Sequence, residues 1–260
     1  MTDLKAQYRR EQISILLWQI GIGVTILGFW EIGSGLLFDP NWWSRPSAVL
    51  LIIIELFVSG EIWQHIFVTL FAMALGLSIG VPLGSIAGLI YGGFPRVEVL
   101  LNPIVLAIYS IPLVALSPLF VVWFGLGIAS KGALVAVVAF WLMFFNMSAS
   151  MRLIDRSFVL AMKTMGANRK QIWILVIIPS VISWFFSGLR LAIPFALVGA
   201  VIGEMIASSE GLGYLTMKAA RFIRMDLLFA AIIILIIFGI ILNFICDWSE
   251  KKLQSWKKYS

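Results

Sequence analysis

Two ionisable side chains interrupt the apolar run between residues 178 and 207, Arg190 and Glu204. Fourteen residues separate them, so on an α-helix they fall within about 40° of one face yet about 21 Å apart along the axis. They cannot pair with each other. A charge at that depth in an apolar segment faces protein or a water-filled cavity, and so marks a candidate site. Other carriers of chemistry are scarce. The chain has one histidine, His65, and one cysteine, Cys246, which excludes an internal disulfide framework and any cysteine-based metal site. There is no nucleophile–histidine arrangement, no H-E-x-x-H and no G-x-x-x-x-G-K-[ST]. The chain thus carries no hydrolase site, zinc site or nucleotide-hydrolysing loop of its own. No catalytic, cofactor-binding or metal-binding residue is assigned, and His65 reads as an interfacial residue.

Elements that hold such residues must be membrane helices. The chain is 61% hydrophobic and 12% charged, with a mean hydropathy of +1.02, far outside the soluble range. Runs of about 20 apolar residues, enough for a ~30 Å hydrocarbon core, recur at about 13–35, 66–90, 103–125, 132–151, 178–207 and 228–246. This predicts an all-α integral membrane protein of six transmembrane helices, with residues 1–260 as one domain. The first run is too long for a signal-peptide core and no A-x-A-like site follows it, so it reads as a retained span. Residues 48–57, interrupted by Glu55, suit an interfacial helix. Glu31 is expected to reach the outer headgroup region.

Basic residues set the orientation. With the N-terminus inside, the inner segments carry Lys5, Arg9, Arg10, Arg96, Arg152, Arg156, Lys163, Arg169, Lys170, Lys251, Lys252, Lys257 and Lys258. The outer segments carry Arg45, Lys131, Lys218, Arg221 and Arg224. The bias predicts both termini on the cytoplasmic side. It accounts for the net charge of +6 without nucleic acid.

Two spans carry packing signals. Gly76, Gly80, Gly84 and Gly88 recur at every fourth residue, giving one helix face on which another backbone can approach closely. That face suits helix packing, or else a sliding or dimer surface, and Pro82 can kink it locally. Pro103, Pro112 and Pro118, with Ser110 and Ser117, punctuate the third span, and Pro179 and Pro194 mark the fifth. Each proline frees a backbone carbonyl, which is tolerated in a bilayer where protein or a water-filled cavity supplies a partner. Broken helices of this kind line transport sites.

Between the fourth and fifth spans lies a polar, basic island, Asp155 to Pro179, within a loop over 152–177. Ser157 can cap a helix start, and Phe158, Ala161, Met162 and Met165 follow at i, i+3, i+4, i+7 spacing. Gly166 ends that helix and Asn168 can cap the next, which runs through Ile172 and Trp173 into the fifth span. A short amphipathic helix in the longest cytoplasmic loop is positioned to meet a partner.

The island resembles the cytoplasmic loop motif of ATP-binding-cassette importer permeases, E-A-A-x3-G-x9-I-x-L-P. Here it reads Leu160, Ala161, Met162, then Gly166, then Val176, Ile178 and Pro179. Residues 59–70, 78–90, 111–131 and 187–208, and GLGYL at 211–215, are similar to the nitrate/sulfonate/taurine class of the binding-protein-dependent transport family. The resemblance covers nearly the whole chain, with a departure that matters: Leu160 stands where the motif has glutamate and Met162 where it has its second alanine. It implies a type I importer permease fold in a bacterial inner membrane. It also implies a homodimer enclosing a path, two ATPase subunits holding ATP and magnesium, and an extracytoplasmic binding protein. Phe158, Ala161, Met162, Met165, Gly166 and Ala167 would form the helix coupled to the ATPase. Ser110, Pro112, Ser117, Arg190 and Glu204 would serve the path. Gly211 and Gly213 would build an outer re-entrant or gating turn.

The solute is left open between sulfonates and other small organic anions, and pyrimidine vitamin precursors or flavins. An energy-coupling vitamin transporter component without a binding protein, or a membrane-embedded enzyme, are the rival classes.

Overall fold

The computed structural model describes residues 2–39 and 42–253; Lys257 and Lys258, counted in the charge bias, lie outside the described residues. Apart from one isolated bridge between Ser34 and Phe38, the described residues form helices and their connections. In order these are α1 (Thr2–Gly33), α2 (Pro46–Ser59), α3 (Glu61–Gly93), α4 (Pro95–Tyr109), α5 (Leu113–Phe124) and α6 (Ile128–Arg152). There follow α7 (Arg156–Thr164), α8 (Arg169–Ile172), a π-helical turn (Trp173–Ile177), α9 (Ile178–Ala207), α10 (Leu212–Arg221) and α11 (Met225–Leu253).

Five stretches are long and apolar enough to cross a membrane: Ser14–Gly33, Glu61–Gly93, Ile128–Arg152, Arg169–Ile206 and Met225–Ser249. The third expected span, 103–125, is not one helix. It is the pair α4 and α5, bent by 84°. Its start also moves, because Pro95 takes the first helical position of α4, where a missing N–H costs nothing. Pro112 makes the bend: it has no N–H to continue the ladder, and it biases Ile111 away from helical geometry. The Ser110 hydroxyl turns back to the Leu106 carbonyl at 2.7 Å.

The chain clusters into two compact units, Met1–Gly60 with Thr216–Ile233, and Glu61–Leu215 with Ile234–Ser260. In the first, Glu31 does not project freely. It accepts from the Ser47 N–H (2.9 Å) and hydroxyl (2.7 Å) in the first turn of α2, and Trp30 Nε1 donates to the Ser44 carbonyl at 2.7 Å. The 14 residues of α2 are too few to span a bilayer.

The second unit is built on α3, α6 and α9. The glycine repeat of α3 extends from Gly76 to Gly92, and it meets α6 of the same chain. A Cβ added to Gly80, Gly84 or Gly88 would lie 2.3 Å from the carbonyl oxygen of Ala136, Phe140 or Phe144 respectively, and one on Gly92 would lie 2.4 Å from that of Ser148. The facing residues advance in step, so α3 and α6 run parallel. The chain between them must therefore return through the same thickness, and the bent α4–α5 pair makes that crossing. Ala72, Met73, Val135, Ala196, Leu197 and Ala200 close one part of the core, and Ala139, Met143, Met147, Val181 and Ala192 the other.

Candidate functional site

The densest polar constellation lies where α3 begins and α9 ends. α10 starts at the turn after α9, and the first N–H groups of a helix have no partner within it. Here side chains from two other helices supply them. The Gly211 N–H donates to His65 Nδ1 at 3.0 Å, the Leu212 N–H to Thr69 Oγ1 at 3.0 Å, and the Gly213 N–H to Glu204 Oε2 at 2.8 Å. Thr69 Oγ1 in turn donates to Glu204 Oε1 at 2.8 Å, with the His65 carbonyl as a second acceptor at 3.0 Å. Glu204 is 1% exposed, and both carboxylate oxygens are engaged. Because His65 Nδ1 accepts, its proton sits on Nε2, 3.9 Å from Glu61 Oε1.

Backbone geometry makes this knot specific to glycine. Gly211 has φ +117°, and a Cβ there would lie 2.2 Å from Glu204 Cδ. A Cβ on Gly213 would lie 2.4 Å from the Val201 carbonyl oxygen. Glu204, expected to serve the path, is thus brought against Gly211 and Gly213, expected to build an outer turn. Sequence reasoning missed His65 and Thr69. The interfacial reading of His65 is corrected, since it is buried and bonded to the turn. Lys131 is corrected too. Instead of lying in an outer loop it occupies the first turn of α6, buried, with Nζ 3.4 Å from the Glu210 carbonyl.

The other expected path residues lie apart from this knot. Arg190, near the middle of α9, pairs with Asp247 of the neighbouring α11 at 2.8 Å. Ser110 and Pro112 form the α4–α5 break. Ser117 is buried in α5, and its hydroxyl has no partner among the described residues. Beside the break is an open cavity of about 670 Å³, bounded by α3, α4, α5, α6 and α9. Tyr109, Phe140, Trp141 and Phe145 line it. Tyr109 meets Trp141 and Phe145 edge-on, with ring centroids 5.5 and 4.9 Å apart.

In the island, the cap is Asp155 and not Ser157: the Ser157 N–H donates to Asp155 Oδ1 at 2.8 Å. An aspartate two residues upstream reaches that N–H, whereas Ser157 already lies inside α7. These hydrogen bonds hold the Asp155 carboxyl below its ordinary range. Gly166, at φ +82°, closes α7 as expected. Its N–H donates to the Lys163 carbonyl (3.0 Å) and the Ala167 N–H to that of Met162 (2.9 Å), the paired bonds of a Schellman end. Asn168 and Gln171 cap α8 reciprocally. The π-turn then carries the helix past Pro179, whose ring would clash in a regular ladder. α8 to α9 so form one 38-residue helix. Phe158, Leu160 and Ala161 are exposed, Met165 is 83% exposed, and Met162 and Ala167 are half-buried.

Comparison with known proteins supplies the context. Residues 80–255 match the binding-protein-dependent transport system inner membrane component family. The formylaminopyrimidine transport permease protein ThiX of Halalkalibacterium halodurans is 31% identical, over 90% of this chain and 93% of that protein. The taurine transport system permease protein TauC of Escherichia coli is 26% identical, over 94% and 90%. An inward-facing structure of the MetNI methionine ABC transporter superposes with a TM-score of 0.58 at 19% identity, covering 74% of this chain and 93% of that one; it supports the fold alone. The all-helical fold, the apolar spans and a family match over most of the chain converge: the chain belongs to the binding-protein-dependent transport system inner membrane component family, and it is a permease subunit of an ATP-driven importer.

Proposed function

We propose that two copies of this chain enclose a path for a small organic solute across the bacterial inner membrane, with both termini cytoplasmic. An extracytoplasmic binding protein delivers the solute. Two ATP-binding-cassette subunits, which bind ATP and magnesium, dock on α7. The observation that carries this reading is the geometry of the island. α7 and its C-terminal cap present Phe158 and Met165, seven residues apart and so on one side, to solvent, with Leu160 exposed on the opposite side of a helix with a basic flank. Its Schellman end and the capped start of α8 join it through the four residues Met165 to Asn168 to a helix that continues into the core. Movement of a docked partner is thereby transmitted to α9.

Leu160 stands where the family motif has glutamate, so the docking rests on apolar contact more than on charge. At the other end of α9, Glu204 holds the turn at Gly211–Gly213, which serves as the outer gate. Arg190, paired with Asp247, ties α9 to α11. Ser110, Pro112 and Ser117 place the α4–α5 break along the path.

Co-purification with the ATPase subunits tests the reading, together with uptake in reconstituted vesicles. Gly166→Val forces a β-branched residue into a left-handed conformation; it is expected to lower ATP-driven uptake at least 10-fold while the chain still inserts. Full uptake by that variant, or no ATPase subunit retained by the wild-type chain, overturns the assignment of α7.

A further inference from the structure

The cavity beside the α4–α5 break carries chemical information about the solute. Resting on the importer reading above, we propose that this cavity holds the solute in transit and selects a flat, uncharged aromatic compound over a sulfonate or other small anion. Its volume of about 670 Å³ falls in the range of small-molecule sites, ~300–1,000 Å³. No Asp, Glu, Lys, Arg or His lines it. Arg190 of α9 and Lys131 of α6 are engaged elsewhere, with Asp247 and with the Glu210 carbonyl.

An anion entering such walls loses its hydration with no cation to offset the loss. An uncharged ring loses little. Tyr109, Phe140, Trp141, Phe145 and Phe195 supply aromatic surface, and offset or edge-to-face contact with a second ring system adds to area burial. Polar recognition is limited to the Tyr109 hydroxyl, the Trp141 indole N–H and Asn146. Asn146 spends one amide proton on the Leu142 carbonyl at 2.9 Å, which fixes its side chain and leaves its amide oxygen as an acceptor. The Tyr109 hydroxyl, the Trp141 indole N–H and the second Asn146 amide N–H as donors, with the Asn146 amide oxygen as acceptor, match the mixed edge of a nitrogen heterocycle. A sulfonate group accepts from the donors, but its charge meets no cation there and it has no proton for the Asn146 oxygen. The position is also suitable for transit. The cavity adjoins the one interrupted span among the described residues, and interrupted helices are where solutes bind at membrane depth.

The test uses the chain assembled with its ATPase subunits in lipid nanodiscs, without binding protein, so that the permease's own preference is read. Equilibrium binding of a labelled formylaminopyrimidine is compared with that of taurine and an alkanesulfonate, and ATP-driven uptake of all three is measured in vesicles of the full complex. The pyrimidine is expected to bind at least 10-fold more tightly than either sulfonate. Phe195→Ala, at a half-exposed position, and Asn146→Ala should each weaken it 5- to 10-fold in complexes that co-purify with their ATPase subunits. Equal or tighter binding of the sulfonates overturns the proposal and leaves the importer reading intact, as does pyrimidine binding unchanged in both variants. Binding of neither class, with uptake of one still occurring, also removes the cavity as a holding site. ATP-driven uptake of none of the three in the full complex counts against the proposed path itself.

Discussion

Replacing Glu204 by alanine and by glutamine separates two accounts of the knot at the start of α10. If the carboxylate matters as a pair of correctly placed acceptors, glutamine should nearly suffice. Its amide oxygen can accept from the Gly213 N–H in place of Oε2. Its amide N–H can then donate to Thr69 Oγ1, which turns its own proton to the His65 carbonyl, already 3.0 Å away. The Gly213 N–H, the Leu212 N–H and the Thr69 hydroxyl stay partnered, and the second amide N–H of the glutamine is the one donor added without an acceptor. The cost is the difference between a charged and a neutral hydrogen bond plus that donor, about 2 kcal/mol. Alanine instead strands the Gly213 N–H in a site where Glu204 is 1% exposed, and it opens a void beneath Gly211. One unsatisfied buried donor costs about 1–3 kcal/mol, and the emptied volume about 2 kcal/mol more. For a chain of this size about 1 kcal/mol corresponds to roughly 2 °C in Tm. Thermal unfolding in detergent should therefore fall by about 4 °C for Glu204→Gln and about 6–10 °C for Glu204→Ala. Adding Thr69→Val should reveal coupling of about 1–2 kcal/mol in a double-mutant cycle. Equal losses for Gln and Ala would mean that the charge itself is required, and the acceptor account would be wrong.

Three further perturbations have defined outcomes. Gly84→Ala places a Cβ 2.3 Å from the Phe140 carbonyl oxygen and should destabilise by about 1–3 kcal/mol; Gly23→Ala, inside α1 with nothing within 4 Å, should cause no loss and a gain of up to about 1 kcal/mol in the same unfolding assay. Ile223 ends α10 at φ +54°, costly for a β-branched residue, so Ile223→Gly should raise Tm, by about 1 kcal/mol in stability. Because Asp155 has a folded pKa below its ordinary value, its contribution to α7 is full above about pH 4 and is lost as pH falls through the lowered value. Protection of the α7 amides, relative to intrinsic exchange at each pH, should fall over that acidic window in the wild type, and Asp155→Asn should flatten the dependence.

Local signals in the sequence carried over where one helix owned all the residues concerned. Gly166 and Asn168 mark a helix end and a helix start by their own backbone and side-chain preferences, and both do so in the structure. The glycines of α3 announce a close approach, though not its partner. The knot could not be read this way. His65 and Thr69 are far in sequence from the residues they hold, and no periodicity links them to Gly211. The usable signal was the H-x3-T spacing, which puts two polar groups on one face of an apolar helix. The bend of the third span was foreshadowed by Pro112 but hidden by a uniform run of apolar residues, since hydropathy has no term for direction. Asp155 and Ser157 are both good capping residue types, and only the backbone path decides between them.

The meshing of α3 with α6 limits how this protein can move. At five positions a glycine Cα rests against a carbonyl of the facing helix; sliding one helix along the other would drive each oxygen into the next side chain in the row. The pair therefore behaves as a single beam and resists shear. Changes of shape within this unit fall to joints whose backbone is already irregular: the bend at Ser110–Pro112, and the π-turn at Trp173–Ile177. These act as hinges at the two flanks of a stiff centre.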